Sequence, residues 1–69
     1  MNRKTRTFFQ IKEIVSHGKL TIEDLRDGFF VCSLEFDDNK NYGSVSSTDY
    51  GLECAIQQLY KFMQRVILQ

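Results

Sequence analysis

The sequence predicts an α+β fold. A small antiparallel sheet of about three strands packs against one long C-terminal amphipathic helix, and a short N-terminal helix or extra strand completes it. Three observations predict this. Residues 47–69 carry apolar side chains at spacings of three and four. Residues 29–36 alternate so that one side is wholly apolar. The chain between and around them is punctuated by Asp-Gly and Asp/Asn-rich turn signals.

The C-terminal helix has the plainest signature. Leu52, Ala55, Ile56, Leu59, Met63 and Val66 fall on one face of a 3.6-residue period. Phe62 sits on the shoulder of that stripe, and Glu53, Gln57, Gln58, Lys61 and Gln64 occupy the other side. Ser47, Thr48 and Asp49 offer capping side chains for the helix start. Gly51 costs roughly 1 kcal/mol inside a helix, which moves the regular start toward residue 51. Burying five or six such side chains contributes about 1.5–3 kcal/mol each before entropy.

In chain order, residues 1–6 read as a basic arm with nothing apolar to hold it down, and so as a frayed end. Residues 7–17 fit two readings. Phe8, Ile11, Ile14 and Val15 form a helical face, with Thr7 as cap and Gly18 as stop. The β-branched and aromatic content also suits a first strand. The reading leans to a short helix, because Ser16-His17-Gly18 looks like a helix ending. Leu20 and Ile22 open a short edge strand, and Arg26-Asp27-Gly28 makes a tight turn. In residues 29–36, Phe30, Cys32, Leu34 and Phe36 face the helix, while Phe29, Val31, Ser33 and Glu35 face away. Residues 37–40 turn the chain, and residues 41–47 return as a strand with a bulge expected at Gly43.

The stretch 28–59 contains GFFVCSLEF, then DDNKNYGS, then TDYGLECAIQQL. This order of sheet and then helix resembles phage integrase arm-binding domains and the closing half of double-stranded RNA-binding domains. The first resemblance implies a sheet lying in a DNA groove. The second implies lysines at the helix start that grip phosphate, but Ser46-Ser47-Thr48-Asp49 stand there, with no lysine and one acid. The sheet offers Ser33 and Glu35 in place of arginines. The likeness is one of topology, and no family is assigned on it.

Sixty-nine residues make a single small domain. Two cysteines, Cys32 and Cys54, are too few for a secreted disulfide framework and read as small apolar residues in a reducing compartment, although one bridge between them stays open. One histidine leaves a zinc site short of ligands. There is no proline, no apolar run of membrane-spanning length and no signal-peptide core, so the chain is expected to be cytoplasmic.

Net charge is zero but polarised. Residues 1–19 hold five bases against one acid, residues 20–54 hold eight acids against two bases, and Lys61 and Arg65 follow. No phosphate-binding loop, nucleophile motif or metal loop is present, so no catalytic, cofactor or metal residue is assigned and the chain is read as non-enzymatic. Two function classes follow. The first is a binding or regulatory module acting through protein–protein contacts or self-association. An accessory or inhibitory role in a bacterium or phage suits so compact a chain. Its contact candidates are Tyr50, Tyr60, Phe62 and Leu68. The alternative is nucleic-acid binding through Arg3, Lys4, Arg6, Lys12, Lys19 and the sheet.

Overall fold

The computed structural model describes residues 2–37 and 42–67. The chain runs α1 (Arg3–His17), β1 (Gly18–Asp24), β2 (Phe29–Asp37), β3 (Tyr42–Tyr50) and α2 (Leu52–Ile67). The strands form one antiparallel sheet in the order β1-β2-β3. Both helices lie on the same side of it, so the α+β class read from the sequence holds, and residues 7–17 are helix rather than strand.

The first helix starts earlier than its apolar pattern does. Asn2 takes an extended conformation, and its side-chain oxygen accepts from the Thr5 amide at 2.8 Å. That is a capping bond, and it draws the expected basic arm into the helix from Arg3 onward. Thr7 is therefore not the cap. Its hydroxyl donates to the Arg3 carbonyl one turn back, at 3.0 Å. Gly18 ends α1 and opens β1 at once. A Cβ there would lie 2.0 Å from the Glu35 carbonyl oxygen, so the two backbones meet too closely for any side chain.

β1 and β2 join through residues 25–28. Arg26 and Gly28 have positive φ, 66° and 96°. The Asp24 and Asp27 carboxylates accept from the amides of Arg26 and Phe29, at 2.8 and 3.1 Å. These side-chain bonds fix the turn locally.

β3 corrects two expectations. Its register with β2 is unbroken from Phe29↔Tyr50 to Asp37↔Tyr42, so Gly43 pairs with Phe36 and carries no bulge. Ser47, Thr48 and Asp49 are strand residues facing Cys32, Val31 and Phe30, not helix caps. The ladder bonds with β2 outweigh the capping preference of these short polar side chains. The reversal comes at Gly51, with φ 85°. Its amide donates to the Gly28 carbonyl at 2.7 Å, and its carbonyl accepts the first helical bond from Ala55 at 3.1 Å. The turn read at residues 37–40 falls largely outside the described residues.

The core lies between sheet and helices. Ile14, Cys32, Leu34, Phe36, Ala55, Ile56, Leu59 and Met63 are buried, with Ile11, Leu20, Phe30, Val45 and Tyr60 packed against them. The predicted inner side of β2 and the centre of the α2 stripe therefore meet, while Leu52 and Val66 at the stripe's ends stay exposed. Ser47, buried among them, donates from its hydroxyl to the Ala55 carbonyl at 2.7 Å and ties β3 to α2. The Cα trace is 16 Å thick along its shortest axis, the depth of one sheet and one helix layer. Nothing within the described residues covers the second face of the sheet.

Candidate functional site

That open face is built by alternation. β1 contributes Lys19, Thr21 and Glu23, β2 contributes Phe29, Val31, Ser33 and Glu35, and β3 contributes Ser44, Ser46, Thr48 and Tyr50. The registers line these up in rows across the strands. Lys19, Glu35 and Ser44 form a charged row. Thr21, Ser33 and Ser46 form a hydroxyl row, with 3.2 Å between the Ser33 and Ser46 oxygens. Glu23, Val31 and Thr48 come next.

The last row is apolar. The Leu25 amide donates to the Phe29 carbonyl at 3.0 Å, which extends the β1–β2 register by one pair, and Phe29 faces Tyr50. The Phe29 and Tyr50 rings meet edge to face, with centroids 5.5 Å apart and planes at 83°. The Tyr50 ring lies over Gly28, where a Cβ would stand 2.3 Å from it. The Asp49 carboxylate accepts from the Tyr50 amide at 2.7 Å. Leu25, Phe29 and Tyr50 are nonetheless 42%, 40% and 65% exposed. Of the acids near this corner, Glu23 is on the open face and Asp27 is in the turn, while Asp24 and Asp49 flank Phe30 on the helix side of the sheet.

The sequence-predicted contact residues do not converge. Tyr50 is on the open face. Tyr60 and Phe62 are half-buried on α2, on the other side of the sheet, and Leu68 lies outside the described residues. The Tyr60 hydroxyl donates to the Glu13 carboxylate on α1 at 2.6 Å. That bond, then burial and the nearby negative charge, push the phenol's pKa up from its ordinary value. Leu25 was missed by sequence reasoning. The signal lay in the three-residue turn 26–28, which sets Leu25 opposite Phe29.

The five bases of the alternative reading also spread out. Arg3 and Arg6 line a cleft of 150 Å³ between α1 and α2, and the Arg3 guanidinium is 3.7 Å from the Glu53 carboxylate. Lys12 sits over the Phe8 ring, 5.6 Å from its centroid. Lys4 is exposed elsewhere on α1. Lys19 is on the sheet beside Glu35. The start of α2 offers Glu53 and no lysine.

Cys32 is buried and its thiol pKa is raised by that burial, whereas Cys54 is exposed, and both are free. His17 is a half-buried helix-end residue. Among the described residues no three His, Cys, Asp or Glu side chains stand together as metal ligands. No helix there is long and apolar enough to cross a membrane. No family model matches the chain, and no curated protein and no solved structure is significantly similar to it.

Proposed function

We propose that this chain is a small non-enzymatic binding or regulatory module that acts through protein–protein contacts, with the open sheet face as its contact surface. The exposed apolar row Leu25, Phe29 and Tyr50 carries the reading. Aromatic side chains held rigidly at low entropy cost make good interface anchors. The acids beside them, Glu23 on the same face and Asp27 in the turn, suit a partner whose surface is apolar at its centre and basic at its edge, such as a nucleic-acid-binding protein that this domain inhibits.

The test pairs two measurements. The wild type and Tyr50→Ala, each immobilised, are exposed to host lysate, and labelled DNA and RNA are titrated at about 50 and about 200 mM salt. A retained protein that Tyr50→Ala loses, with no saturable nucleic-acid binding, supports the reading. Saturable, steeply salt-dependent binding that survives Tyr50→Ala and falls with Arg6 or Lys12 substitution replaces it with direct nucleic-acid binding.

A further inference from the structure

Among the described residues, no strand pairs with the outer edge of β1. β1 is an outer strand of the sheet. The bond from Leu25 to Phe29, taken with the β1–β2 register, makes Lys19, Thr21 and Glu23 the residues whose backbone groups bond to β2. The backbone groups of Gly18, Leu20, Ile22 and Asp24 therefore point outward along the free edge.

We propose that this edge pairs with the same edge of a second copy of the chain, antiparallel, about a twofold axis at Thr21. This deepens the protein-contact reading and rests on it, naming the chain itself as one partner. The sequence of β1 is self-complementary in that register alone. Leu20 faces Ile22 of the second copy on the helix side of the sheet. On the open side Lys19 faces Glu23 of the second copy, and Thr21 faces itself. The outward-pointing groups of Leu20 and Ile22 are the ones this register brings into hydrogen bonds. A shift of the axis by one residue keeps the backbone bonds but sets Lys19 or Glu23 against Thr21 and leaves the charges unmatched. Exposed edges invite such pairing, and cross-strand opposite charges favour it.

The first helix supplies the rest of the seam. Glu13 of α1 reaches α2 through Tyr60. Phe8 and Val15 lie roughly 140–160° around the helix from Glu13, so they face away from α2, on the side of the β1 edge. They are 58% and 49% exposed, and Ile22 is 43% exposed. A second copy related by the twofold axis brings its own α1 against this flank, so that sheet and helix layers continue together across the seam.

Sedimentation velocity from about 1 to about 100 μM reads the association. The wild type should approach dimer mass. Glu23→Lys sets lysine against Lys19 and should weaken association about tenfold or more. Thr21→Cys in a Cys54→Ser background should cross-link on mild oxidation, because paired Cβ atoms at such a site lie within about 4.5–5.5 Å, close to disulfide reach. Glu23→Cys in the same background should not, since its own copy is offset by four residues. Monomer mass throughout, or equal linking at 21 and 23, overturns the proposal. Neither result touches the Tyr50→Ala capture test, because Tyr50 is on β3 at the far edge of the sheet.

Discussion

Tyr60 on α2 donates its phenolic proton to the Glu13 carboxylate on α1, 47 positions away in the chain. The bond joins the two helices on their solvent side. It also places Tyr60, read from the sequence as a contact residue, in service of the fold itself. Tyr60→Phe should keep the fold and cost about 1 kcal/mol, the net worth of one such bond. The pH dependence follows from the raised phenol pKa. The folded chain holds this proton more tightly than the unfolded chain does. The contribution is therefore whole below the ordinary phenol value of 10.0 and is lost as pH rises past it. Urea unfolding at neutral and strongly alkaline pH should show a steeper alkaline decline for the wild type than for Tyr60→Phe. Parallel declines would remove this role.

Gly18→Ala should be among the most damaging small changes available. The new methyl meets the Glu35 carbonyl at 2.0 Å, and neither backbone can retreat without parting β1 from β2. A loss of about 3 kcal/mol is expected, read as a lowered urea midpoint. Gly51→Ala differs in kind. Nothing lies within 4 Å of its Cβ, and only the φ of 85° opposes it, so about 1–2 kcal/mol is expected. A larger loss at 51 than at 18 would contradict both accounts.

Much of this was legible in the sequence. The α2 stripe and the alternation in β2 could be read because burial there follows the period of the element, and Leu59, Ile56, Leu34 and Cys32 are indeed in the core. The failures have two causes. Ser47, Thr48 and Asp49 carry side chains suited to caps, but their backbones are claimed by Cys32, Val31 and Phe30 across the sheet, a partnership between distant residues. Arg3 to Arg6 look like an arm because helix entry there depends on Asn2, one polar side chain, rather than on apolar spacing. The contact row was half visible. Phe29 and Tyr50 stand out as aromatic, but only the strand register makes them neighbours.

Leu59→Ala and Tyr50→Ala should separate core from surface. Leu59 is fully buried, and its truncation should cost about 2–5 kcal/mol, enough to unfold so small a domain at ordinary temperature. Tyr50→Ala should leave the circular dichroism spectrum and urea midpoint nearly unchanged. Comparable unfolding by both would mean that the Tyr50 ring supports the sheet instead of meeting a partner.

Ser47→Ala should cost about 1 kcal/mol. It removes a buried bond between β3 and α2 without orphaning a donor, because the Ala55 carbonyl remains an acceptor within the helix. Ser47→Val should cost more, since added bulk must enter a packed layer. Midpoints from thermal melts rank the two.

The two thiols give this chain a built-in clock. Cys54 lies in the open, within reach of an alkylating reagent, while Cys32 is sealed in the sheet's inner face. A reagent therefore marks position 54 in every molecule and position 32 only in those that have opened. The ratio of the two marks, followed by mass spectrometry, measures how often the central strand is laid bare under conditions where the chain is otherwise native.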